Sequence, residues 1–502
     1  MSLRGIWAEL RDRGVLKAGA AYAAVGWVAL EVFSVVFENL GAPGWVLKGI
    51  TTLILIGFPV ACLLAWAFDI TPEGIRSVSF VYGKPAPQTA NAVVEPSTVP
   101  SVAVLAFDNL SAEPEQAYFS DGIAEDIITD LSRLSQLRVI ARNSSFTYKG
   151  GPVDVRQVGR ELGARYVLEG SVRKVGQHVR VVCQLTETTT GALVWAERFD
   201  RDLTDIFAVQ DEITLEIIEA LRIKLTSEME AQLTRRIPAG LEARNMFLRG
   251  REHAYLLTAS GNIEARKLLE RAIAISPGFS SAMACIAFTL VDDYVMGRGD
   301  DPQRSLEAGL AIAQRACAVD DQDPYAQVWL SLALLWNRQH DEAMEAVRRC
   351  LALAPSQAEG QMQLASLQYY MGDIEGALNT LDIYMQLDPL YPEIALYFLA
   401  EAQAASGQLV AAVATLKRRL ERNQNSETTY ALLASCYGHL GKIEESREAW
   451  VQVIRIAPNF SLERRRRILP YKTPEIFERR IEGLRKAGLP MFSSDDHSVS
   501  VT

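Results

Sequence analysis

Histidine and cysteine are scarce in this chain, with five and six in 502 residues. His178, His253, His340, His439 and His497 are scattered without ligand spacing. Cys62, Cys183, Cys285, Cys317, Cys350 and Cys436 form no CxxC or other metal pattern, so no metal site is expected. Most of the cysteines fall at apolar helical positions, as buried small hydrophobes of a reducing compartment would. Positive charge is also short. Lys and Arg total 51 against 61 Asp and Glu, and the net charge of −10 argues against a general nucleic-acid binder. The phosphate-cradling GxxxxGK[ST], the GxSxG elbow, the HExxH zinc motif and the kinase set are all missing. No nucleophile–base pair can be named, no catalytic residue or cofactor is assigned, and the chain is expected not to be an enzyme.

Long apolar runs are present, but only near the start. Residues 18–37 read AGAAYAAVGWVALEVFSVVF, with Glu31 as their one acid, and residues 45–68 read WVLKGITTLILIGFPVACLLAWAF. Each is long enough to cross a hydrocarbon core of about 30 Å. The turn-rich ENLGAPG between them makes a transmembrane helical hairpin the expectation. Arg4, Arg11, Arg13 and Lys17 precede the first run, which places the N-terminus, and after two crossings everything downstream, in the cytoplasm. The alternative, a first segment lying on the surface, would move the remainder to the periplasmic side. Residues 81–100 are rich in Pro, Ala, Ser and Thr and read as an extended linker.

From residue 101 the pattern changes to strand and helix signals. SVAVLAF (101–107) is a buried-strand run, and Ile123, Ile127, Ile128, Leu131 and Leu134 recur at helical spacing. LRVIA (137–141) predicts a second strand, and DVRQVGRELG a helix ended by Gly163. YVLEGSVRKV and HVRVVCQLTETT alternate around Gly176–Gln177 as a hairpin, ALVWAERFD adds a third strand, and residues 204–225 predict a closing amphipathic helix. The order β-α-β-α-β-β-β-α implies a mixed sheet with helices on it. Asp121, Glu125, Asp126 and Asp130 crowd one helix and read as a solvated acidic face, with Asp121 as its cap. Asn143, Ser144 and Ser145 read as turn chemistry, and the charges around Arg198 and Arg201 as surface pairs.

The C-terminal half repeats with a period of about 34 residues. Pro277, Pro355, Pro389 and Pro458 share one phase, with Asp321 and Gln424 in the slots between. Twelve residues before each slot stands a small residue: Ala265, Gly309, Ala343, Ala377, Ala412 and Ser446. Four residues further on come Leu269, Ala313, Val347, Leu381, Leu416 and Trp450. Small residues let paired helices approach, and the larger ones fill the space between units. Gly261, Gly372, Gly407 and Gly441 mark the turn inside each pair. This pattern resembles the tetratricopeptide repeat, with about six units over 246–460. Arg464–Arg467 then opens a capping helix with a polar outer face.

The motifs SVAVLAFDNLS, YFSDGIAEDI, LRVIARNSSF, LGARYVLEGSVRK and WAERFDR are similar to those of the TolB-like domain of the FlgO/TolB amino-terminal type. That resemblance extends to the N-terminal apolar pair and to the tail PYKTPEIFERRIEGLRKAGLP. It implies a bacterial membrane-anchored protein carrying tetratricopeptide repeats. Relatives often add a nucleotide cyclase or a winged-helix module at the N-terminus. Only 17 residues precede the first run here, so neither module is expected.

The expected layout is a basic segment (1–17), two transmembrane helices (18–68), a linker (69–100), a TolB-like α/β domain (101–225) and a connecting helix (226–245). The repeats (246–460), a capping helix (461–490) and a disordered tail (491–502) follow. In a tetratricopeptide unit, positions 2, 5, 9 and 12 of the first helix line the concave side. Here they give Tyr325, Val328, Leu332 and Leu335, then Glu359, Met362, Ser366 and Tyr369, then Ile394, Tyr397, Glu401 and Ala404. The Lys, Asn and Arg set that clamps a C-terminal carboxylate is missing, so the groove should prefer an apolar peptide or amphipathic helix. The plainer reading is that these side chains pack on neighbouring helices or the capping helix. The expected function is a scaffold or adaptor in the bacterial inner membrane that recruits a protein partner, in signalling or envelope assembly. A periplasm-facing sensory component and a small-ligand receptor or enzyme are the alternatives.

Overall fold

In a computed structural model, the described residues are 68–71, 74–77, 99–111, 117–151, 153–202, 206–223, 225 and 240–489. The chain divides into two units, Met1–Ala86 and Pro87–Thr502. In the first, strands β1 (Phe68–Thr71) and β2 (Gly74–Ser77) pair antiparallel. This hairpin lies where the sequence reading ends the second apolar run, at Phe68, and begins the linker, at residue 69. Residues 18–67, the linker from 78 to 98, the connecting segment 226–239 and the tail lie outside the described residues. Among the described residues no helix is long and apolar enough to cross a membrane.

The second unit opens with a mixed sheet ordered β5-β3-β6-β7-β8. Its strands are β3 (Ser101–Val104), β4 (Asp108–Asn109), β5 (Arg138–Val139), β6 (Tyr166–Val175), β7 (His178–Glu187) and β8 (Leu193–Asp202). β3 runs parallel to β5 and β6, and β4 pairs with β6. The long strands β6, β7 and β8 form an antiparallel meander that turns at Gly176, whose φ of 62° suits glycine. Helices α1 (Ala117–Leu131) and α4 (Ile206–Ala220) cover one face, burying Ile123, Ile127, Ile213 and Ile217 against Val104, Val181, Cys183 and Leu185. On the other face, α3 (Val155–Leu162) packs Val158 and Leu162 on Ala103 and Val167. Asp154 caps α3 through the Arg156 amide, and Gly163 at φ 61° ends it. The two-turn stretch between β5 and α3 holds α2 (Arg142–Ser145) and a 3₁₀ turn at Phe146–Tyr148.

Among the described residues six helix pairs follow. They are α5 (Leu241–Tyr255) with α6 (Ala259–Ile275), α7 (Ser280–Met296) with α8 (Pro302–Val319), and α9 (Pro324–Trp336) with α10 (His340–Leu353). Then come α11 (Ala358–Met371) with α12 (Ile374–Leu387), α13 (Glu393–Ala405) with α14 (Leu409–Arg422), and α15 (Glu427–His439) with α16 (Ile443–Ile456). The last helices among the described residues are α17 (Leu462–Ile468) and α18 (Pro474–Lys486). Ala265, Ala343, Ala377, Ala412 and Ser446 are fully buried at the crossings, and Leu269, Val347, Leu381 and Leu416 fill the space behind them. Each inner turn needs one left-handed residue. Gly297, Gly372, Gly407 and Gly441 supply it, but the first and third pairs use Leu257 (φ 52°) and Arg338 (φ 61°). Gly261 is therefore not a turn residue. It lies inside α6, where its amide caps onto Thr258.

The five described cysteines are free thiols. Burial pushes those of Cys285, Cys317 and Cys436 up to about 12, which leaves them protonated and unreactive near neutrality.

Candidate functional site in the repeat groove

Six of the concave residues fall into two groups, and three pack between the helices of the array. The first group lies around Arg251, which contacts the α/β module. Arg251, on the first helix of the array, ion-pairs with Glu125 of α1, which also receives Arg142 at 3.1 Å. Two helical turns earlier Arg244 pairs with Asp126, and Gln210 of α4 donates to the same carboxylate at 2.6 Å. Lys149 holds Asp121 at 2.5 Å. The acidic run of α1 is thus not a solvated face. Glu125 is 4% and Asp121 6% exposed, and Asp121 sits in the second turn of the helix instead of capping it. What hid this was the partner set, since both arginines lie more than 100 residues downstream. Burial raises Asp121 above the ordinary carboxyl range, against the pull of Lys149.

A second contact joins the α2 turn to the array. Asp388 accepts from Ser144 at 2.5 Å, from Asn143 at 3.2 Å and from Tyr384 at 3.0 Å. The Leu390 amide donates to Ser144 Oγ at 2.8 Å, and the Ala141 amide to the Leu387 carbonyl at 2.7 Å. Ser356, in the turn before α11, donates to the Leu137 carbonyl at 3.0 Å. The Asn143–Ser144 pair therefore serves an inter-module contact and not its own turn.

Tyr325, Glu359 and Met362 belong to this first group. Arg251 donates to the Tyr325 hydroxyl at 3.4 Å, Tyr255 reaches Glu359 at 3.5 Å, and Met362 and Ala141 both pack against the cluster of Ala358, Tyr384 and Leu396. Val328 is fully buried between helices with Met283 and Cys350, and Ser366 is buried as well, so neither is presented to a ligand. Leu332 is half-buried against the same helices.

The second group, Tyr369, Tyr397 and Glu401, is brought together and met by the C-terminal segment. Tyr369 donates to Glu401 at 2.5 Å and shares a 3.1 Å hydroxyl contact with Tyr471. Arg480 of α18 pairs with Glu401 at 2.8 Å and donates to the Tyr397 hydroxyl at 3.3 Å. Both partners of that ion pair are 6% exposed. Phe477, Ile481 and Leu484 of α18 are buried with Leu432, Leu433 and Cys436. Burial and the adjacent carboxylate hold the Tyr369 hydroxyl far above its ordinary value, so it stays protonated and available as a donor. Among the described residues no group of His, Cys, Asp and Glu could hold a metal ion.

Tetratricopeptide-repeat family models match residues 368–436 and 427–460. Residues 97–216 match the model of the HilA/YgeH-like transcriptional regulator, second domain. A protein named "Putative adenylate cyclase 3" from Rhizobium meliloti (strain 1021) is 47% identical over 247 residues, which is 49% of this chain and 42% of that protein. The chain thus spans less than half the length of this curated relative. Among solved structures, TTC0263, a tetratricopeptide protein of Thermus thermophilus, is 22% identical, covering 41% of this chain and 99% of that one at a TM-score of 0.31. TolB from Acinetobacter baumannii is 18% identical, covering 25% and 29% at a TM-score of 0.20. The C-terminal half is a tetratricopeptide solenoid, a protein–protein interaction scaffold, and it follows a small mixed sheet.

Proposed function

We propose that this chain is a membrane-anchored interaction scaffold in which a TolB-like α/β module and a tetratricopeptide array act together to recruit a protein partner in bacterial signalling or envelope assembly. The observation that carries the reading is the array itself, six helix pairs whose concave side gathers aromatic, apolar and carboxylate side chains. The apolar runs 18–37 and 45–68 supply the anchor, with the soluble parts on the cytoplasmic side of the inner membrane. Site-specific photocrosslinking in intact bacteria tests it. A crosslinker at Tyr397 or Leu332 should capture a partner from the membrane fraction, and one at the exposed sheet residue Val182 should not. Equal capture from all three positions, or recovery of the chain from the soluble fraction, overturns it. A reporter fused after Thr502 separates the cytoplasmic from the periplasmic placement.

The name of the Rhizobium relative supports a second reading, in which the shared stretch belongs to a cyclase-linked signalling protein. Assay of the purified full chain for cyclic AMP formation from ATP decides it, with turnover above a boiled control as the supporting result.

A further inference from the structure

A helix that merely caps a solenoid needs to touch only the last repeat. The C-terminal segment reaches back much further. Arg338, in the inner turn of the third pair, donates to the carbonyls of Arg467 (2.7 Å) and Leu469 (3.1 Å). His340 binds the Pro470 carbonyl at 2.7 Å. In the fourth pair, the Tyr370 carbonyl accepts from the Lys472 amide at 2.9 Å and the Met371 carbonyl from Thr473 at 2.9 Å. In the fifth, Arg479 donates to the Ala405 carbonyl at 3.0 Å and Arg480 pairs with Glu401. In the sixth, Ser435 donates to the Arg480 carbonyl at 2.7 Å, and His439 meets that of Arg479 at 2.7 Å. Four successive repeats thus read one segment, largely through its main chain, as a groove reads a peptide.

Three further features fit a ligand better than a cap. Arg338 holds the left-handed position that glycine fills in the neighbouring pairs, a conformation that crowds the Cβ of a non-glycine residue. Its guanidinium is what that strain delivers to the segment's carbonyls. Next, the buried face of α18 is Phe477, Arg480, Ile481 and Leu484, the i, i+3, i+4, i+7 set by which an amphipathic helix lies in a groove. Gly483 lets this helix come close to α15, where a side chain would strike Ser435 and His439. Finally, the buried charge pair of Arg480 with Glu401 leaves Arg480 Nε without a hydrogen bond. Such a pair adds little stability over apolar packing but fixes register.

We propose that residues 469–489 are a built-in occupant of a helix-binding site on α11, α13 and α15, and that the partner is an amphipathic helix of the same chemistry. Such a helix presents apolar residues at i, i+4 and i+7, arginine at i+3 to meet Glu401, a small residue at i+6, and an aromatic residue six positions upstream to stack on Tyr369 and Tyr370. The proposal rests on reading the array as an interaction scaffold and names the class of partner.

The test uses the full chain in detergent and a fluorescein-labelled synthetic peptide of residues 469–489. Phe477→Ala with Arg480→Ala loosens the internal segment and leaves the site's own side chains intact, and this variant should bind the peptide at least tenfold more tightly than the unaltered chain. Adding Glu401→Gln should cancel the gain. Equal binding, or none, by a double variant with an unchanged circular dichroism spectrum overturns the proposal. Should the variant unfold, native hydrogen exchange on the unaltered chain decides: amides of residues 475–486 exchanging tenfold faster than those of α15 support a displaceable occupant, and equal protection overturns it. Because the peptide replaces the unknown partner, a negative result here leaves scaffolding through other surfaces standing. A positive result without any cellular capture would instead strike the scaffold reading.

Discussion

The α/β module and the C-terminal helix both dock on one array, but they are built in opposite senses. At the module, two carboxylates of α1 enter and the array answers with Arg244 and Arg251. At the C-terminal helix a single arginine enters and the array answers with Glu401. The module contact is distributed, with separate anchor points at α5, at Ser356 and at Asp388. The helix contact is linear, running along one segment from Arg467 to Arg480. A distributed contact between folded surfaces opens only if all its points release together, whereas a linear one can peel from an end. That difference makes the module part of the scaffold and the helix an exchangeable element.

The sharpest way to break this comparison is to remove Arg251. Glu125 is then left in the interface with Arg142 as its remaining partner, and stripping one member from a buried ion pair typically costs about 3–5 kcal/mol. Chemical denaturation of Arg251→Ala in the full chain should show a loss of that size, with the module and first repeats melting ahead of the rest. A loss below about 1 kcal/mol would mean that the module rests on the array without depending on it.

How much of this is legible in the sequence depends on the range of the interaction. Ala343, Ala377 and Ala412 were placed by local periodicity alone, because a helix pair is held within one 34-residue unit. The succession of strands and helices in the module followed from local alternation for the same reason. The groove residues Tyr369, Tyr397 and Glu401 were found from their register, but not what fills their groove: Arg480 lies 79 residues from Glu401. Ser144 reaches Asp388 across 244 positions, and no spacing rule carries that far. Arg338 stands, like Leu257 in the first pair, where the other pairs place glycine, and only the contacts of its guanidinium set it apart.

A smaller effect is expected there. Arg338→Ala keeps the left-handed strain and loses the hydrogen bonds to two carbonyls, so it should cost about 1–2 kcal/mol. Arg338→Gly loses the same bonds but relieves the strain, so it should come out near neutral in stability while still freeing the C-terminal segment. Thermal melts combined with limited proteolysis after residue 468 separate the two effects. Equal melting losses for the two variants would show that the strain is not what sets this position apart.

The smallest expected difference is in pH response. Burial raises the carboxyls of Asp121, Asp388 and Glu359 at the module contact, and it holds Asp130 at about 7 against an ordinary 3.8. A carboxyl whose folded value is raised binds its proton more tightly in the folded chain. Its contribution is therefore complete below about pH 4 and is lost as the pH climbs through the folded value, near 7 for Asp130. Asp130 faces Arg133 and Asp211 within the module, so between about pH 5 and 8 the module itself should lose roughly 1 kcal/mol, the full shift being discounted because the Asp130 side chain is part-exposed. Hydrogen exchange, corrected for its intrinsic pH dependence, should show α1 and Ala141–Ser145 opening more readily at the alkaline end of that range. Asp130→Asn should flatten most of that trend. If exchange at α18 rises by as much as at α1, the pH response belongs to the array as a whole, and the two contacts are not independent.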